Sequence, residues 1–160
     1  MELSQDYEDL FRVLNAYKIK YLVVGAHAVI FYSEPRFTKD LDIWVSPDMN
    51  DPADMYDALR AFGAPMKGVT PRHFLDKTLI LQIGVAPIRI DVMMNIPGVR
   101  FRTAWQNKRS SRYGKERIYL LGIRDLIKAK RKAGRLQDKI DLEKLLERLR
   151  SVKRSVRKKK

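Results

Sequence analysis

The 160 residues suffice for one domain and are short for two, and with 45% apolar residues they can close a core, which excludes a disordered chain. No cysteine is present, so disulfides and thiolate metal sites are excluded, and no apolar run reaches the roughly 18 residues of a membrane-spanning helix. The formal charge is +14, and residues 121–160 carry most of it with 16 basic against 5 acidic side chains, so a polyanion such as RNA or a nucleotide is the expected partner.

The acidic, amphipathic opening MELSQDYEDLFRVL fits neither a secretory signal nor a transit peptide, which makes a cytoplasmic location the default and a membrane role unexpected. Ser4 as N-cap, followed by Tyr7, Leu10, Phe11, Leu14 and Tyr17, predicts a first helix. Tyr21-Leu22-Val23-Val24 predicts a strand that stops at Gly25, and a helix follows from Ala26 to Tyr32. A glycine between strand and helix lets a ligand approach the backbone, and the free N–H groups of a helix start attract phosphate. His27 reads as a packing or capping residue.

Glu34-Pro35 breaks that helix, and Arg36 to Val45 then reads as a strand. Side chains two apart leave the same face of a strand, so Asp40 and Asp42 point together while Leu41 and Ile43 point away. Two carboxylates about 4 Å apart repel by roughly 4 kcal/mol at an effective dielectric of 20, which invites a cation between them, although a solvated pair at a strand mouth is the plainer alternative. A helix is expected from about Pro52 to Phe62, stopped by Gly63. Thr78 to Val85 and Ile88 to Met94 read as hairpin strands joined at Ala86-Pro87. In the second, Ile88, Ile90, Val92 and Met94 alternate with Arg89, Asp91 and Met93, leaving Asp91 alone among apolar neighbours. Asp91 either pairs with Arg89 or Arg36, or joins Asp40 and Asp42 as three oxygen donors for Mg2+ or Mn2+.

Val23-Val24-Gly25-Ala26-His27-Ala28, Arg36-Phe37-Thr38-Lys39-Asp40-Leu41-Asp42 and Ile90-Asp91-Val92 together resemble the DNA polymerase β-like nucleotidyltransferase superfamily, and within it the small toxin- and antitoxin-associated nucleotidyltransferases. The resemblance extends over most of residues 20–146, through Lys128-Ala129-Lys130-Arg131 and Gln137 to Leu142. It implies an α+β fold, a mixed β-sheet flanked by helices with a short helical C-terminal portion. It further implies that Asp40, Asp42 and Asp91 are catalytic metal ligands and that Gly25 and Ala26 face the triphosphate of an NTP substrate. Arg36, Lys39 and Lys128 become candidate phosphate contacts, Arg36 ahead of Lys39 because it shares parity with the carboxylates if the strand extends that far. Ala26 departs from the family's usual Gly-Ser or Gly-Gly and offers a backbone N–H but no hydroxyl.

Residues 99–117 interleave Arg100, Arg102, Lys108, Arg109, Arg112, Lys115 and Arg117 with Phe101, Trp105 and Tyr113, either to stack a nucleic acid strand or, the favoured reading, as a polar connection whose aromatics pack on the core. A strand Ile118 to Leu121 then leads into a helix that starts at Ile123, ends at Gly134 and carries Lys128, Lys130, Arg131 and Lys132 on its far face. A last amphipathic helix begins near Gln137. Residues 1–150 are expected to form one domain, its helical portion being 121–150, and 151–160 a basic flexible tail. The expected activity is metal-dependent transfer of a nucleoside monophosphate to RNA or a protein hydroxyl. The alternatives are an inactive member acting as an antitoxin toward a cognate toxin, and a nucleic-acid-binding module whose aspartates only pair with arginines.

Overall fold

The computed structural model describes residues 3–85 and 87–160; the first two residues and Ala86, read as part of a hairpin turn, lie outside the described residues. Helix α1 (Gln5–Ala16) is capped as expected, with Ser4 accepting from the Tyr7 N–H, and is followed by β1 (Leu22–Val24) and α2 (Gly25–Tyr32). Strand β2 (Asp40–Trp44) is half the length expected, since residues 36–39 approach it without strand pairing. Helix α3 (Pro52–Phe62) runs from an Asp51 N-cap to Gly63, whose φ of 98° supplies the left-handed stop. A 3-10 turn (Pro71–Leu75) precedes the antiparallel hairpin β3 (Ile80–Val85) and β4 (Ile88–Met93).

The stretch read as a polar connection contains a short helix α4 (Phe101–Gln106) and an edge strand β5 (Arg109–Tyr113), paired antiparallel with β6 (Glu116–Leu120). Its aromatics do pack inward: Phe101 lies edge-on to Trp44 with centroids 4.9 Å apart, and Trp105 lies edge-on to Tyr119 at 5.2 Å. Helix α5 (Ile123–Ala133) ends at Gly134, and α6 runs from Leu136 to Lys158. The stretch expected as a tail is therefore helical as far as Lys158. It contains no glycine or proline, and Lys and Arg are good helix formers, so a helix already nucleated on the core continues through it.

The six strands form one mixed sheet in the order β3-β4-β2-β1-β6-β5. Strand β2 runs parallel to β4 and antiparallel to β1, and β1 runs parallel to β6. Alternation along the central strands divides the core between two faces. Val23, Leu41, Ile43, Ile90 and Val92 pack with α1 and α3, whereas Leu22, Val24 and Trp44 pack with α2, α4, α5 and α6. The carboxylates of β2 and β4 share the second face, beneath α2, α5 and α6. Among the described residues no helix is long and apolar enough to cross a membrane.

Candidate active site

Register builds the site. Asp42 lies opposite Val24 of β1 on one side and opposite Asp91 of β4 on the other, while Asp40 lies opposite Arg89. The three carboxylates named from period-2 alternation are thus carried on one face of adjacent parallel strands. Burial, then Asp91, then Asp40 push the Asp42 carboxyl up to about 6, and Lys130 and Arg135 partly offset them.

Arg89 answers that crowding. Its Nε and Nη2 donate to the two oxygens of Asp91 at 3.0 and 3.1 Å, and Nε lies 3.7 Å from Asp40. The pairing of Asp91 with Arg89 that the sequence left open is therefore present. Among the described residues no three His, Asp or Glu side chains converge as a preformed metal cage. The donor chemistry nonetheless suits a hard cation: three carboxylates on one face, with Asp42 disfavoured in its charged form by burial and by its two neighbours.

Gly25 is dictated twice over. Its φ is +63°, and a Cβ there would collide with the Asp42 carboxylate, so the α2 turn and the acid fit against each other only without a side chain. Helix α2 begins with no side-chain cap, which leaves the N–H groups of its first turn, Ala26 included, without a side-chain acceptor. A cleft of about 130 Å3 opens beside Gly25 and Asp42. Met93, Ile96, Leu121, Leu126 and Ala129 give it an apolar wall, and Lys130, Arg135 and Asp138 close it.

The predicted cations are distributed differently. Lys39 is exposed in the approach to β2. Arg36, outside the strand, turns to Asp141 of α6 at 3.2 Å, and its Nε is buried without a hydrogen-bond partner among the described residues. Lys128 points into solvent near Asp125, at 3.9 Å, and is not among the cleft-lining residues; Lys130, two residues on and so on the opposite side of the helix, is there instead. Lys130, expected on the far face of the helix with Lys128, is buried instead, with Nζ 2.9 Å from Asp138 and 3.1 Å from Asp141. The signal that could have found it is the pair Asp138 and Asp141 on the inner face of an amphipathic helix, since buried carboxylates demand a partner. His27 packs edge-on to Tyr7 at 5.7 Å, and burial followed by Arg36 lowers its pKa, consistent with a packing residue.

Residues 3–160 match the family described as "Nucleotidyl transferase of unknown function (DUF2204)". No curated relative matches the chain. Two solved structures share its fold at a TM-score of 0.55 and 16% identity each: a candidate nucleotidyltransferase from Thermotoga maritima, covering 88% of this chain and 90% of that one, and an antigenic nucleotidyltransferase-like protein from Paracoccidioides brasiliensis, covering 91% and 77%. They agree with the α+β architecture expected from the sequence.

Proposed function

We propose, from the premise that this chain belongs to the nucleotidyl transferase family of unknown function, that it transfers a nucleoside monophosphate from an NTP to a hydroxyl of RNA or protein, with Mg2+ or Mn2+ held by Asp40, Asp42 and Asp91. The observation that carries the reading is the register that sets Asp42 beside Asp91 on one side and against the Gly25 turn on the other. When bound, the metal would supply Lewis-acid activation of the acceptor oxygen and charge neutralisation of departing pyrophosphate. The chain's own groups bind and orient. Gly25 and Ala26 present backbone N–H groups to a phosphate, the apolar wall of the cleft accepts an uncharged portion of the nucleotide, and Lys130 and Arg135 set positive charge facing Asp42. Arg36 and Lys39 lie on the approach to Asp40, where an incoming phosphate passes. Lys128 serves at most from the rim.

The test is transfer of label from each of the four α-labelled triphosphates to cellular RNA and protein, with the intact chain and with Asp42→Asn and Asp91→Asn. Label should appear with the intact chain and fall by at least about a hundredfold in the variants; equal labelling by all three would end the assignment. One observation favours a second reading. Arg89 already neutralises Asp91, as expected of an inactive member that kept the fold as an antitoxin or binding module. That version predicts no Mg2+-dependent nucleotide binding in titration calorimetry.

A further inference from the structure

The cations of α5 that the cleft does not use form a pattern of their own. Arg124, Lys128 and Arg131 recur at four- and three-residue steps, so they lie along one outer stripe of the helix, with Lys132 beside them, and all four are exposed. The acid in the same helix, Asp125, is buried, accepts from Asn107 at 3.3 Å and lies 3.9 Å from Lys128, so the helix adds no exposed negative charge to the stripe and Arg124, Arg131 and Lys132 are not paired with it. The stripe also has a direction. Past the Gly134 stop it continues into Arg135, which lines the cleft, and Lys132 packs beside Gly98, next to the cleft residue Pro97. From Arg124 to Arg131 the run covers roughly 10 Å at 1.5 Å per residue.

A separate feature stands in the segment that leads into β2. Phe37 is 75% exposed, three residues before Asp40, in the segment that Arg36 ties to α6 through Asp141. A phenyl ring this exposed contributes little to the core. Cations in file leading to a site, with an exposed aromatic ring three residues before one of its acids, are what a single strand of nucleic acid requires: phosphates for the charges and a base for the ring.

We infer that the outer stripe of α5 is a track for a phosphodiester strand, which it leads to the cleft so that the strand's end is the acceptor, with Phe37 stacking a base near that end. This rests on the nucleotidyl transfer proposed above and narrows its acceptor from RNA or protein to a nucleic acid strand.

The experiment uses the full chain, chelator and a 5′-labelled single strand of about 20 nucleotides, long enough to occupy more than one site of the usual size, read by fluorescence anisotropy over a salt series. RNA and DNA of the same sequence form two arms. The triple variant Arg124→Gln, Arg131→Gln, Lys132→Gln is set against Lys153→Gln, Arg154→Gln, Lys158→Gln, which removes the same charge from the exposed end of α6, roughly 22 Å further along that helix from Asp138. The α5 variant should weaken binding at least about tenfold and reduce the logarithmic salt slope by about 2, for three phosphate contacts at about 0.7 each, while the α6 variant changes affinity less than about threefold. The arm with the tighter binding names the strand. Phe37→Ala should weaken binding with the slope unchanged, because stacking carries no charge. Equal effects of the two triple variants would reduce the attraction to overall charge and overturn the track, as would no effect of either.

Thermal melting of each variant shows whether it is folded, and the Phe37→Ala result stands independently of the charge variants. Strand binding of this kind without transfer of any nucleotide removes the enzymatic reading and leaves the surface. Transfer to protein alone, with the α5 variant binding strands as the intact chain does, removes the surface and leaves the enzyme.

Discussion

Asp42 carries an electrostatic penalty in the folded chain. Burial and the carboxylates of Asp91 and Asp40 raise its pKa from 3.8 to about 6, so between those values the native state binds more protons than the unfolded one. Its contribution to stability is full below 3.8 and is lost as the pH rises through 6. Asp42→Asn removes the charge. At about pH 7.5 in chelator this variant should melt above the wild type, by the equivalent of roughly 1–2 kcal/mol, and the gap should close near pH 4. Thermal melts at both pH values check it; a variant that melts below the wild type at the higher pH would show that the carboxylate is stabilising. Arg89 is the complementary residue. Its bidentate grip on Asp91 supplies positive charge where a cation would be drawn, so Arg89→Gln should tighten Mn2+ binding at least about fivefold in titration calorimetry. Weaker binding would mean that the guanidinium instead holds the carboxylates in the arrangement a metal needs.

At the scale of elements, the α5–α6 hairpin is joined to the body by charge as well as by apolar packing. Lys130 sits between Asp138 and Asp141, which are 1% and 0% exposed, and Arg36 reaches Asp141 from the loop before β2. Burial raises the Asp138 carboxyl, but hydrogen bonds from Arg135 and Lys130 outweigh it and hold the group below its ordinary value. Lys130→Met leaves two buried carboxylates short of a partner and should cost about 3–5 kcal/mol, read by urea denaturation. A loss under about 1 kcal/mol would mean that water reaches the acids. The acids Asp138 and Asp141 signal in the sequence that a cation must face α6, but spacing alone does not name it, because Lys130 stands among the solvent-facing cations of α5 and Arg36 stands in a loop, and only docking of α6 on both selects them. Strand β5 was hidden for a different reason. Arg109-Ser110-Ser111-Arg112-Tyr113 has no apolar alternation, and it becomes a strand by pairing with β6 across the turn at Gly114. The carboxylate face was legible because period 2 survives in short strands, and the Gly25 turn because few residues other than glycine adopt its φ.

At the scale of the molecule, the positive charge is divided between a part that the fold uses and a part that it does not. Lys130 and Arg36 serve the buried cluster and Arg89 the carboxylates, whereas all residues from Ser151 onward are exposed and extend α6 beyond the core. Helix propensity keeps that extension helical, yet none of its residues is buried, so it adds little transfer energy to the fold. Removing residues 151–160 takes away six positive charges and no negative ones. The shortened chain should melt within about 2 °C of the full one, less than the 2–4 °C that 1 kcal/mol produces in a domain of this size. Its affinity for a generic polyanion such as heparin should fall, and fall most at low salt, where exposed charges are least screened. A drop of more than about 5 °C would show that Val152 and Val156 pack against something in solution, and the end of α6 would then belong to the core.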